Sequence, residues 1–463
     1  MHSRRHFISM AAFAALSARA SATSPEVSLK VSDKALATMP LDFNGVSYEI
    51  TQLYNPDFFS VKNKSLVNAF RQLSSHGVLR LGGSLSNCSR WKSEAGTFET
   101  AQQTAIIESG RTGAWEWKLC DPKVRDHRDG AITPAALSTL RGFCDATGWR
   151  VIYGLDCNSG TPERARDEAA HVCAALGDKL LAFQVGNEAD FFQKYQREPN
   201  SFEAYFRDYR AFADAVHQAA PLAPFAGPDT AVNMEWVDAL ARREGKKAVL
   251  LSSHFYAMGP GTDPSQNAAL LLSGKSRLPQ LIAQAQAATA ASGVPFRLTE
   301  TNSCFHGGRP GVSDAYASAL WAADMMLQTA AEGFGGVNLH GGGDGIYTPI
   351  ETTANGGTKL RPLYYGMQFA EQFAGATFLA CELTTSENIT AYAARKGKTK
   401  LLALINKGPN TVTIAQAWVT PRHLVRLTGP SLDAKAGVSV KTVAARQKFA
   451  TAVQPYSASI LIG

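Results

Sequence analysis

The sequence predicts an α/β protein: a (β/α)8, or TIM, barrel over residues 41–374, then a β-sandwich over 375–463 completed by an N-terminal strand within 23–40. Three observations carry that prediction. After about residue 40, short apolar runs alternate with longer amphipathic stretches, the pattern of repeated βα units around a parallel sheet. Eight such runs occur, and nearly all carry polar residues at or near the C-terminal end, which favours a closed barrel over a doubly wound sheet. From roughly residue 375 the helical periodicity stops, and short alternating segments separated by turn residues take over.

In chain order, the first element is not part of the fold. MHSRRHFISMAAFAALSARASA has a positive start, an apolar run from Phe7 to Leu16 and small residues at Ala18, Ala20 and Ala22, so residues 1–22 read as a cleaved export signal. SRRHFI resembles a twin-arginine address, which places the product outside the cytoplasm, periplasmic or extracellular, with no membrane attachment once the signal is removed. EVSLKVS (26–32) alternates like a strand and joins the C-terminal sandwich. The eight barrel runs are LDFNGVSYE (41–49), GVLRLGG (77–83), RVIYGLD (150–156), LLAFQVGNE (180–188), APFAGPD (223–229), VLLSSHFYA (249–257), PFRLTET (295–301) and GGVNLHG (335–341). Between them, FEAYFRDYRAFADAVHQ (202–218) and DAYASALWAADMMLQTAA (314–331) repeat apolar residues at three and four, as helices do. NITAYAA, TKLLALINK, VTIAQAWV, HLVRLTG and SASILIG supply the sandwich, whose role is packing against the barrel.

Composition limits the functional classes. The chain has 463 residues, is 45% hydrophobic and 18% charged, and carries a net charge of +7, a mild surplus that does not call for a nucleic-acid partner. The basic runs ARREGKK (241–247) and RKGKTK (395–400) suit a polyanion, and equally a solvated helix face and a hairpin turn. Seven dispersed cysteines without a C-x-x-C pair argue against a disulfide framework and a zinc ribbon, although one or two disulfides are compatible with them. No motif asks for a metal or cofactor, no nucleotide fingerprint is present, and oligomeric state is not legible.

The chemistry lies in FQVGNEAD (183–190) and FRLTETNS (296–303), which end the fourth and seventh runs with Glu188 and Glu300. Cleaving a glycosidic bond needs one carboxylic acid to protonate the leaving oxygen and one carboxylate to meet the developing oxocarbenium ion. Across a barrel mouth the two would face each other, and a separation of about 5–5.5 Å would define a retaining mechanism, with Glu300 as nucleophile and Glu188 as acid and then base. Glu49, Arg80, Asp156, Asp229, His254, Tyr256 and His340 fall on the same face. Asn187 stands beside the acid, placed for a sugar hydroxyl, while Arg80 and Tyr256 support the nucleophile, the guanidinium keeping it ionised. The glycines of ETNSCFHGGRPGVSD (300–314) and LHGGGDGIYTPI (339–350) let backbone N–H groups approach an anion; they would serve tight turns as well.

Together, LRLGG, VGNE, HFY, ETNSCFHGGRPGVSD and the tyrosine of GGGDGIY resemble glycoside hydrolase family 79, the β-glucuronidase and heparanase group of retaining barrel glycosidases. The resemblance implies a glucuronic-acid-containing carbohydrate as substrate, Glu188 as acid/base and Glu300 as nucleophile. It further implies that the uronate carboxylate is held by backbone N–H groups around His306 and Gly307 and by the hydroxyl of Tyr347, with Glu49 and Asp121 as sugar-hydroxyl ligands. Three positions depart from the family pattern: Ala189 where proline often follows the acid, His306 where heparanase-like members have glycine, and Phe305 where they have tyrosine. The leading expectation is an exported retaining exo-β-glucuronidase. An endo-β-glucuronidase acting within glycosaminoglycan chains, a neutral-sugar glycosidase and a non-catalytic carbohydrate-binding barrel are the alternatives.

Overall fold

The structure, a computed structural model, describes residues 27–98, 130–195, 200–341, 345–353, 356–445 and 450–463. The export signal read at 1–22, Asp121 and Cys120 lie outside the described residues. Eight parallel strands form a closed barrel: Asn44–Glu49, Val78–Gly82, Arg150–Leu155, Leu180–Val185, Phe225–Thr230, Ala248–Pro260, Phe296–Phe305 and Gly336–His340. Each pairs with the next and the eighth with the first, and every one coincides with a run read from the sequence. The intervening helices begin on recognisable signals. Thr133 and Thr161 accept the N–H groups of Ala136 and Arg164, with proline in the first turn of Pro134–Thr147 and of Pro162–Leu176.

Alternation along the strands stacks the inward side chains in layers, and their character changes from bottom to top. At the bottom, buried Arg297 donates to Asn338 Oδ1 (2.7 Å) and to the carbonyls of Asp42 (3.0 Å), Gly335 (3.0 Å) and Phe43 (3.1 Å). Gly336 faces it, and a Cβ there would lie 1.9 Å from the guanidinium. Above lies an apolar layer of Val78, Ile152, Ala182, Ala226 and Leu250. The next layer is polar, with Arg80, Gln184, Asp229 and Ser252 all buried. Charge is therefore concentrated below the C-terminal rim.

Two departures from the expected elements shape that rim. The sixth and seventh strands run on together as far as the Phe305–Pro260 pair, so Glu300 lies within a strand and residues 301–305 are not loop. The seventh strand also slips register after Leu298 against both neighbours, the signature of a β-bulge. In strict alternation Arg297 and Thr299 would face inward and Glu300 outward; the extra residue brings Thr299 and Glu300 to the interior together.

The C-terminal strands form one nine-stranded sheet curled over itself, in the order Ser439–Ala444, His423–Thr428, Ser457–Ile462, Thr399–Asn406, Ile389–Lys396, Thr377–Thr384, Val27–Thr38, Val412–Ala415, Ala450–Val453. Pairing is antiparallel except where Val27–Thr38 meets Val412–Ala415. Along Thr399–Asn406, Leu401, Ala403 and Ile405 join the barrel-side core, while Leu402 and Leu404 fill the interior of the curl with Val27, Val412, Ile414 and Leu461. Asp324 of the helix Tyr316–Ala331 anchors the sheet to the barrel: it accepts from Thr390 (2.6 Å) and Tyr392 (2.7 Å) and pairs with Lys407. The six described cysteines are free, and no helix among the described residues is long and apolar enough to cross a membrane.

Candidate active site

Glu300 projects into the barrel mouth from the bulge. Its Oε1 accepts from Tyr256 (2.7 Å) and its Oε2 from Arg80 (2.8 Å), with His340 Nδ1 3.7 Å away. Burial alone would raise its pKa, but His340, His254 and Arg80 outweigh it and, with the Tyr256 hydroxyl, hold the carboxyl well below its usual range. The Tyr256 and Tyr347 phenols are pushed up by burial and by Glu300, so both stay protonated donors.

Arg80 is fully buried and spends its donors on five acceptors: Gln184 (3.0 Å), Ser47 (2.9 Å), Glu300 (2.8 Å), Asn187 (2.6 Å) and Asp229 (2.6 Å). A buried guanidinium is tolerable only when paired in this way. Gly82 gives it room, since a Cβ there would lie 2.7 Å from its Cζ.

Glu188 occupies the turn after the fourth strand, in a left-handed backbone (φ 51°) that a non-glycine residue adopts only when neighbours fix it. Its N–H donates to Asp229 O (2.9 Å) and its Oε1 meets His254 Nδ1 at 3.1 Å. The turn lacks the proline frequent in the resembled family, and Asp190 holds it instead, accepting from the N–H groups of Ala231 (2.8 Å), Val232 (3.1 Å) and Asn233 (3.1 Å). One carboxylate oxygen of Glu188 and one of Glu300 lie within 4.8 Å of each other, with a His254 nitrogen in the same span. Burial works to lower the pKa of His254, but Asp229 and Glu300 prevail and it is pushed up to about 10. In that protonated state the ring donates from both nitrogens and pairs with the carboxylates beside it.

The glycine loops meet each other. Ile346 and Tyr347 donate their N–H groups to Gly307 O (2.7 and 3.3 Å). Gly308 (φ 93°) packs so closely on Tyr347 that a Cβ would lie 2.8 Å from its ring. His306 has φ 58°, so it adopts the left-handed conformation of the glycine it replaces, and its exposed ring meets Phe305 edge-on. Arg361 clamps the second loop: it donates to the carbonyls of Gly345 (3.0 Å) and Ile346 and forms a two-armed ion pair with Glu351 (3.1 and 3.2 Å).

Of the residues named from sequence, the structure gathers Glu188, Glu300, Asn187, Arg80 and Tyr256 into one network, with Tyr347, Gly307 and His306 on the adjoining rim. Glu49 stands at the end of the first strand and accepts Leu85 N–H (2.8 Å). Asp156 turns away, into Ser159 (2.6 Å) and Arg164 (3.3 Å). Sequence reasoning missed Asn87, which pins the acid turn by donating to Asn187 O (2.8 Å) and accepting from Asn187 N (3.1 Å), and also Gln184, Thr299 and Arg361. Asp229 and His254 had been placed on the right face without a role.

No family model matches the chain. It is 32% identical over 288 residues to a β-glucuronidase of Neurospora crassa, a match covering 54% of this chain and 49% of that protein, so it spans about half the length of that relative. To a β-glucuronidase of Aspergillus niger it is 25% identical over 391 residues, 75% of this chain and 67% of the relative. Among solved structures, a 4-O-α-L-rhamnosyl-β-D-glucuronidase from Fusarium oxysporum 12S shares the architecture, with a TM-score of 0.70 at 19% identity over 94% of this chain and 99% of the other.

Proposed function

We propose that this protein is a retaining glycoside hydrolase of the family 79 type that releases terminal β-linked glucuronic acid, with Glu300 as nucleophile and Glu188 as acid/base. The carrying observation is the approach of one oxygen of Glu188 to within 4.8 Å of one of Glu300, which suits the roughly 5–5.5 Å spacing of a retaining pair better than the about 6.5–9.5 Å of an inverting one. In the first step Glu300 attacks the anomeric carbon while Glu188 gives its proton to the glycosidic oxygen; the C–O bond breaks and a glycosyl ester forms. In the second, Glu188 takes a proton from water, the resulting hydroxide displaces Glu300, and the β configuration is restored. Asn187, its Oδ1 engaged by Arg80, offers Nδ2 to the neighbouring sugar hydroxyl. The Tyr347 hydroxyl and the N–H groups of His306 and Gly307 receive the uronate carboxylate, and Glu49 and Asp121 bind further hydroxyls. The two fungal relatives are β-glucuronidases, which supports this assignment. Export by the twin-arginine route belongs to the same reading, because it accommodates free cysteines in an extracytoplasmic protein.

Proton NMR of the first product from an aryl β-glucuronide tests the proposal. The β anomer should appear first; initial release of the α anomer would refute Glu300 as nucleophile.

A further inference from the structure

Beneath the two glutamates runs an unbroken arc of alternating charge. Glu188 Oε1 meets His254 Nδ1 at 3.1 Å, His254 Nε2 stands 3.2 Å from Asp229 Oδ1, Asp229 Oδ2 takes Arg80 at 2.6 Å, and Arg80 reaches Glu300 Oε2 at 2.8 Å. The Nε2 contact is angled away from a straight hydrogen bond, so it acts chiefly as an ion pair. Asp229 is the centre of the arc and is heavily constrained. It sits at a register slip in the fifth strand with φ 60°, is fully buried, and accepts from Gln184 (2.6 Å) and Thr299 as well as Arg80. Its carbonyl takes the N–H of Glu188 (2.9 Å), so the same residue fixes the acid's backbone.

We propose that Asp229 is a positioning residue for proton transfer: by pairing with His254 it keeps that imidazole a donor at both nitrogens, so that the ring has no lone pair with which to take the catalytic proton from Glu188. This rests on the assignment of Glu188 as acid/base. A neutral imidazole 3.1 Å from Glu188 would offer a lone pair and compete with the glycosidic oxygen for the proton. An imidazolium cannot. It donates to Glu188 throughout, and once the proton has gone to the leaving group it stabilises the carboxylate that must next deprotonate water. The charged groups facing His254 are Asp229 from the fifth strand, Glu188 from the turn after the fourth and Glu300 from the seventh, with Arg80 from the second beyond them. Among the described residues Asp229 is the one paired with Nε2, the nitrogen opposite the Nδ1 that meets Glu188, so it can hold the second proton without taking part in the reaction.

Two measurements on the full chain test this separately from the glycosidase assignment. Nitrogen-15 NMR of labelled histidines, with His254 assigned through H254Q, reads the protonation state without any turnover. At about pH 8, above the ordinary histidine pKa of about 6.5, wild-type His254 should carry protons on both nitrogens. In D229N it should lose one. A neutral His254 in the wild type, or an imidazolium that persists in D229N, overturns the proposal, and the wild-type spectrum can overturn it even if the variant fails to fold. The second measurement compares leaving groups. D229N should slow an alkyl glucuronide, which needs the proton, by on the order of 100-fold and an activated aryl glucuronide by less than about tenfold. Equal losses would mean a general structural role and would overturn it. Failure of the underlying assignment looks different: wild type would turn over neither glucuronide, whatever the NMR shows.

Discussion

Glu300 shows how far single residues are legible. Its identity as a candidate came from TETN at a strand end, but its direction comes from a register slip that no local pattern announces. The partners that hold the site are harder still: Asn87 lies 100 residues from the Asn187 it pins, and Arg80 lies 220 from Glu300. Chemistry marks the reacting groups because few side chains perform it, whereas a positioning amide looks like any other asparagine until the chain folds. At this scale the roles of the two glutamates separate cleanly. Glu300→Gln should abolish turnover of every glycoside, since an amide cannot form the ester intermediate. Glu188→Ala should slow substrates with poor leaving groups by on the order of 100-fold or more and largely spare activated ones. Steady-state rates on a series of aryl glucuronides read both; a Glu188→Ala loss independent of leaving group would argue against its acid role.

At the scale of elements, the eight strands were legible because a parallel barrel buries its strands on both sides, which leaves near-continuous apolar runs between amphipathic helices. The extended sixth and seventh strands were not, since their pairing beyond the rim rests on each other and not on a hydrophobic period. The rim loops gave only glycines, and the clamp on them, Arg361 with Glu351, is supplied from a hairpin, Ile350–Thr352 with Thr358–Leu360. Two predictions belong here. Tyr347→Phe should cost about 1.5–3 kcal/mol in kcat/KM toward a glucuronide, the range for a hydrogen bond to a charged group, and leave the matching glucoside unmoved. Arg361→Ala, which frees the carbonyls of Gly345 and Ile346, should raise KM for the glucuronide by about tenfold with kcat nearly unchanged, because it loosens a ground-state contact. Parallel losses on glucoside and glucuronide would show that the loops place the sugar without reading its charge.

For the whole molecule, buried charge sets the pH range of stability. Asp229 and Glu300 are held below their ordinary values of 3.8 and 4.5, so their contribution is complete above those values and is lost as pH falls toward the depressed ones. His254 is raised from 6.5 to about 10, so its contribution is complete below 6.5 and is lost as pH rises toward 10. Thermal unfolding should therefore peak between these limits, and H254Q should flatten the alkaline decline; an unchanged alkaline slope would place the transition elsewhere. The placement of the basic runs bears on the proposed exo cleavage. An endo enzyme on sulfated chains needs basic residues flanking an open groove, and its binding weakens steeply with salt. The two basic runs do not supply this. Residues 241–247 close the helix Met234–Glu244 and lead into the sixth strand; Arg243 reaches the neighbouring helix, covering Phe202 and Phe206 and pairing with Glu203. Residues 395–400 form the tight hairpin between Ile389–Lys396 and Thr399–Asn406 in the sheet domain. Neither run borders the carboxylate pair. A long glycosaminoglycan ending in glucuronic acid should lose that terminal sugar while keeping its length, at a rate only weakly reduced by added salt. Size-exclusion profiles decide it: a rapid fall in average length before any monosaccharide appears would assign the chain to endo cleavage.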